Sequence, residues 1–143
     1  MPKRGSKPSY ILDEQVGFIL RQVSQRHSTI FASAIGNNLT PTQWAALSKL
    51  LETGPCSQNQ LGRLTAMDVA TIKGVIDRLT ARGLTETGSD PEDGRRLIVS
   101  LTRAGQQTAE KTLANALAIT RETLAPLETK ERETLIALLG KLR

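Results

Sequence analysis

Along residues 11–35 the apolar side chains fall at Leu12, Val16, Ile19, Leu20, Val23, Ile30, Phe31 and Ala34, with His27 on the same stripe. Steps of three and four place them on one face of a helix. Gly36-Asn37-Asn38 ends it with residues that tolerate left-handed backbone. Thr40-Pro41-Thr42-Gln43 then reads as a helix start: Thr40 caps, Pro41 takes the first helical position and Gln43 closes a capping box. Trp44, Leu47, Leu50 and Leu51 face inward on that helix, which stops at Gly54-Pro55. Cys56 is a short extended link. Ser57-Gln58-Asn59-Gln60 reads as a second capping box, opening a short helix over 57–65 that buries Leu61 and Leu64. Asp68 caps a helix to about Arg82 with Ile72, Val75, Ile76 and Leu79 on its apolar face.

After Gly83 the period changes. Residues 84–87 and 97–101 read as two short strands, and the turn-rich stretch between them makes a hairpin with a long loop. Thr102 caps a long helix to about Leu124, Pro126 breaks the chain, and a last helix starts near Thr129 with Leu135, Ile136, Leu138, Leu139 and Leu142. The predicted fold is all-α with a small β-wing. No internal repeat interrupts it.

Composition narrows the class. The 143 residues suit one domain. Apolar residues are 38% of the chain, and 11 glycines bring the total close to the ~45–50% of soluble globular proteins. No stretch approaches the ~18 apolar residues of a membrane span, and no apolar run follows the basic N-terminus, so neither membrane nor signal peptide is expected. One Cys and one His exclude an internal disulfide and a Cys/His zinc site within one chain. A reduced, cytoplasmic setting is expected. Without a Gly-rich phosphate loop, metal cluster or nucleophile–base pair, neither an enzyme nor a cofactor is expected. The net charge of +5 permits a polyanionic partner. Residues 1–8 read as a flexible basic arm, but the excess is not a block. Contacts to nucleic acid must come from placed residues.

The middle of the chain supplies such residues. Two short capped helices separated by a tight link form a helix-turn-helix, and the hairpin behind them makes it a winged helix. A recognition helix fits the DNA major groove with its N-terminal residues at base edges. An arginine at a hairpin tip reaches the neighbouring minor groove.

Residues 39–44 (Leu-Thr-Pro-Thr-Gln-Trp), Leu61-Gly62-Arg63, the run from Ala70 to Leu79, Arg82-Gly83-Leu84, and Asp93-Gly94-Arg95 followed by Leu101-Thr102 resemble the MarR family. The resemblance covers roughly residues 11–142. It implies a homodimeric repressor that binds double-stranded DNA at a palindromic operator and lets go when a small, often aromatic, ligand binds. It places Arg95 at the wing arginine of the minor groove and Asp93 at the acid that orients it. Ala70, Thr71 and Lys73 fall at groove-facing positions. Family members commonly carry Ser and Arg where this chain has Ala70 and Gly74, which shifts readout to Thr71 and Lys73. Arg96 is a further candidate, for phosphate. Dimerisation is expected from residues 9–35 and 103–143, and DNA binding from 40–102, within one domain spanning 9–143.

Within the family, Arg21-Gln22-Val23-Ser24-Gln25-Arg26-His27 and residues 54–62 are similar to regulators of aromatic-acid catabolism, with nicotinate degradation the nearest branch. The expected effector is then a small aromatic acid, held by Arg26, His27 and Trp44. Arg26 matches a carboxylate bidentately, and the Trp44 face offers an apolar wall. Each has a plainer reading: Arg26 as a surface residue, His27 as a satisfied core or interface residue, Trp44 as core. Two other classes stay open. One is a redox-sensing regulator acting through Cys56, although the nearest basic residues, Lys49 and Arg63, lie seven positions away. The other is a winged helix used only for protein contact.

Overall fold

The computed structural model describes residues 9–143; the basic arm expected over residues 1–8 lies outside them. The expected first helix is split. A 3-10 turn over Leu12–Glu14 precedes α1 (Val16–Ala34), with Gln15 extended between them and its side chain donating to the Ile11 carbonyl at 2.9 Å. Leu12 and Val16 are four apart in either geometry, so apolar spacing does not reveal the break. Asn37 and Asn38 turn the chain at φ 55 and 53. Helix α2 (Pro41–Thr53) opens with the full Thr40–Gln43 capping box.

Two residues, Cys56–Ser57, form a strand β1 that antiparallel-pairs with β3 (Leu97–Leu101) through Cys56 opposite Val99. The link expected at Cys56 is therefore part of the sheet, in the order β1-β3-β2. Strand β2 (Thr85–Ser89) pairs with β3 from Thr85–Leu101 to Ser89–Leu97. Ser57 caps α3 (Gln58–Leu64) by accepting from the Gln60 N–H, but the return bond of a capping box is missing. Leu61 is buried, whereas Leu64, expected beside it, is 42% exposed.

Helix α4 (Val69–Ala81) starts at the Asp68 cap, where the carboxylate accepts from the Thr71 N–H at 2.7 Å. Gly62 is buried at the crossing of α3 and α4. A Cβ there would stand 3.1 Å from both Ile72 Cγ2 and the Met67 carbonyl. Helix α5 (Arg103–Thr123) follows the Thr102 cap, and α6 (Thr129–Gly140) follows a Glu128–Glu131 capping box.

One continuous core joins Leu47, Leu50, Leu61, Ile72, Ile76, Leu79 and Val99 of the winged helix to Ile30, Phe31, Ile35, Ala109 and Ile119 of the terminal helices. Polar bonds lock the same junction. Arg82, at the end of α4, donates to the carbonyls of Asn37 and Asn38, and Asn115 of α5 donates to that of Ile35. The terminal helices leave much apolar surface uncovered: Val16 is 66% exposed, Leu117 59% and Leu142 73%. Helix α6 buries no residue within its own chain.

Candidate nucleic-acid interface and effector cleft

The wing tip is a compact hydrogen-bonded turn. The Asp90 N–H donates to the Arg96 carbonyl and the Arg96 N–H to the Asp93 carbonyl, both at 3.0 Å. The Asp93 carboxylate accepts from the Arg95 backbone N–H at 3.1 Å and stands 3.5 Å from its Nε. It therefore holds the turn through the backbone, while the solvated side-chain contact constrains the direction of Arg95 only weakly. The Arg95 side chain is 95% exposed, so its donors are presented to solvent at the hairpin end. Arg96 pairs with Asp90 at 3.7 Å. That puts the two neighbouring arginines in different roles: one is projected and one is tied to the base of the loop.

Between the wing and α3 lies an open concavity of about 410 Å³, lined by Ser57, Gln58, Asn59, Arg63, Arg95 and Arg96. Three cations meet neutral amides there, a chemistry suited to phosphate oxygens. Gln58 and Asn59 are legible in the sequence only as part of a helix start and Arg63 only as part of the family resemblance, not as residues facing the wing. Their place beside the wing follows only once β1 pairs with β3 and brings the start of α3 against it. At the head of α4, Val69, Ala70 and Thr71 are exposed. Lys73 is exposed too, but its ammonium is held by Asp77 at 2.8 Å. The pair is solvated, so it holds Lys73 only weakly.

Of the three residues expected to hold an acid, His27 is common to two hollows, one shared with Trp44 and one with Arg26. His27 and Trp44 meet, with Phe31, Ala116, Ile119 and Thr120, around a cleft of about 150 Å³ between α1, α2 and α5. That is the size of a cavity that accepts a benzene ring. Arg26 points elsewhere: its guanidinium donates to the carbonyls of Thr123 at 2.7 Å and Glu122 at 2.9 Å. It closes the C-terminus of α5, where unpaired carbonyls attract a cation. His27 Nδ1 lies 2.8 Å from the Thr123 hydroxyl. His27 and Arg26 together line a larger apolar trough of about 500 Å³, with Val23, Leu135, Ile136 and Leu139, between α1 and the α5–α6 corner. Thr123 had no signal in the sequence; it is found only by the packing of α1 on α5.

Cys56 is half-buried in β1, and desolvation pushes its thiol pKa up. A raised pKa leaves less thiolate, the opposite of a redox sensor. Among the described residues no group of His, Cys, Asp and Glu is placed to hold a metal, and no described helix is long and apolar enough to cross a membrane.

Comparison with known proteins fits this architecture. Residues 37–96 match the MarR family. The transcriptional repressor NicR of Pseudomonas putida is 39% identical over 134 residues, 93% of this chain and 85% of NicR. The chain belongs to the MarR family. A solved MarR-type neighbour, a probable transcriptional regulator from Pseudomonas aeruginosa, is 62% identical, with a TM-score of 0.91 over 93% of this chain and 100% of its own. BpsR of Bordetella bronchiseptica, whose DNA binding is regulated by 6-hydroxynicotinic acid, is 39% identical, with a TM-score of 0.90 over 94% of this chain and 97% of its own. These relatives are regulators of transcription rather than enzymes. Both the winged-helix fold and the nicotinate branch of the family agree with the resemblance read from the sequence.

Proposed function

We propose that this protein is a homodimeric, cytoplasmic repressor that binds a palindromic DNA operator and releases it on binding a single-ring aromatic acid of the hydroxynicotinate type. The observation that carries the DNA reading is the pairing of a projected Arg95 with a cationic concavity at the start of α3. Arg95 enters the minor groove from the turn that Asp93 holds. Ala70, Thr71 and Lys73 face the major groove, and Arg96 and Arg63 meet phosphate. In this reading the winged helix of residues 40–102 is the DNA-binding part, and residues 9–35 and 103–143 form the dimer. The exposed apolar side chains of α1, α5 and α6 support the latter, since a second copy covers them by an isologous contact.

The effector reading rests on the 150 Å³ cleft. Its Trp44 and Phe31 rings suit one aromatic ring, and the regulation of BpsR by 6-hydroxynicotinic acid supports a pyridine acid. His27 supplies the polar contact. Arg26 contributes through the positive charge it sets beside His27 and through its hold on α5. The cleft sits where the terminal helices meet the winged helix, so its occupant biases the spacing of the two recognition helices. A ligand favouring the DNA-incompetent spacing by ~100-fold supplies ~2.7 kcal/mol.

A gel shift with genomic fragments tests the reading. Shifted fragments that share an inverted repeat, and are freed by 6-hydroxynicotinate, are expected. Capture of proteins with no shift of any fragment would instead favour a protein-contact module.

A further inference from the structure

Gly74 lies on the face of α4 turned away from Ile72, Val75, Ile76 and Leu79, which the core buries. It follows Ala70 by four residues and precedes Arg78 by four, so the three form one ridge along the outer side of the helix. Inside a helix, glycine is the least favoured residue short of proline. This one is half-buried although it faces outward, and what lies against it is the side chain of Arg78. A Cβ at Gly74 would meet Arg78 Nη1 at 3.3 Å and, its chain neighbours and the helix backbone apart, nothing else within 4 Å. Arg78 is exposed and has no ion-pair partner among the described residues, whereas Lys73, the other cation of α4, is paired with Asp77 at 2.8 Å.

Helical side chains lean back toward the N-terminus, so a long one covers the turn before its own. Residue 78 stands about 12 Å along the axis from Ala70, as far as the major groove is wide, and residue 74 about 6 Å. A side chain extended straight out from position 78 therefore ends near the phosphates at the groove edge. Folded back over Gly74, it delivers its guanidinium one turn nearer the end of the helix that reads bases. We infer that Arg78 is a specificity-determining residue that reads a guanine across Gly74. With no side chain at 74, the guanidinium lies along the helix and turns two donors to the O6 and N7 acceptors of one guanine in each half-site. The inference rests on the DNA reading above and adds to it a residue and a base. Ala70 and Gly74 bring no polar group of their own to this ridge, so Arg78 supplies its hydrogen bonding.

The duplex isolated by the gel shift supplies the probe, with 7-deazaguanine in place of each guanine in turn. This base pairs as guanine does but lacks the N7 acceptor. For the wild type, one such replacement per half-site should weaken binding by about tenfold, the scale of one good base contact. Arg78→Ala should bind the parent duplex about tenfold more weakly and be indifferent to that replacement. Arg78→Gln, whose amide suits adenine rather than guanine, should lose the preference in the same way. Gly74→Ala should melt at or above the wild-type temperature, since alanine favours the helix, yet discriminate less between the two bases. A contact to phosphate would instead weaken binding to every duplex of the panel by the same factor. A wild type indifferent to every replacement, an Arg78→Ala or Arg78→Gln variant that keeps the wild-type preference, or a Gly74→Ala variant that keeps it in full overturns the inference. If no fragment shifts at all, the DNA reading falls with it; a shifted fragment without this coupling faults the inference alone.

Discussion

Gly105→Ala sets local propensity against packing. In an exposed helix, alanine is favoured over glycine by ~1 kcal/mol. Here the added Cβ would stand 1.8 Å from the Leu84 carbonyl oxygen and 2.8 Å from its carbon. Ordinary carbon–oxygen contact begins near ~3.3 Å, so the two backbones must part by about 1.5 Å. The Leu84 carbonyl also accepts from the Thr102 N–H at 3.1 Å, a bond that such a shift breaks. Overpacking costs ~1–3 kcal/mol and the unpaired carbonyl ~1–3 kcal/mol more. After the helix gain, a net loss of about 3 kcal/mol is expected. At roughly 3–4 °C per kcal/mol for a chain of this size, the melting temperature should fall by about 10 °C. The assay is thermal denaturation by circular dichroism at matched protein concentration, because a dimer's melting point depends on concentration. A variant melting within ~2 °C of the wild type would refute the close approach of α5 to the strand start.

Other outcomes follow from the same geometry. Arg95→Ala should weaken operator binding by ~1–3 kcal/mol with no change in melting temperature, because its side chain is exposed; if Arg96→Ala does this instead, the two arginines have exchanged roles. Lys73→Ala should alter the ranking of operator variants in a competition assay, and an unchanged ranking would remove it from base readout. Sedimentation at micromolar concentration should give twice the chain mass, and a monomer would leave the exposed apolar helices unexplained. The Thr71 N–H and side chain hold the Asp68 carboxyl below its usual pKa. Its capping contribution is thus complete above the ordinary carboxylate pKa and is lost as the pH falls through the depressed value. Asp68→Asn should flatten that part of an acid denaturation profile.

Local chemistry explains what was legible from the sequence. Thr40, Asp68 and Thr102 cap their helices because each precedes a periodic apolar run, and the change of period after Gly83 reveals the wing. Strand β1 has two residues, too few to show any period, and its pairing with Val99 is purely tertiary. The apolar stripe of α1 was visible, but a stripe does not say whether its own chain covers it; Val16 and Val23 remain exposed. Arg26 and His27 are adjacent in sequence and both reach Thr123 at the end of α5. Only His27 also lines the cleft with Trp44, because successive side chains on a helix point about 100° apart. Leu64 fits the α3 apolar spacing, yet only Leu61 reaches the core.

The central claim is that an aromatic acid in the α1–α2–α5 cleft releases DNA. Fluorescence anisotropy of a labelled duplex chosen by the gel shift tests it most directly. Without ligand, the logarithm of the binding constant should fall with log salt by about 0.9 per phosphate contacted. Titrated 6-hydroxynicotinate should then lower anisotropy to that of free duplex, with the midpoint shifted by His27→Ala and by Trp44→Phe. A complex that persists through saturating single-ring acids, or a release that neither substitution affects, would contradict it.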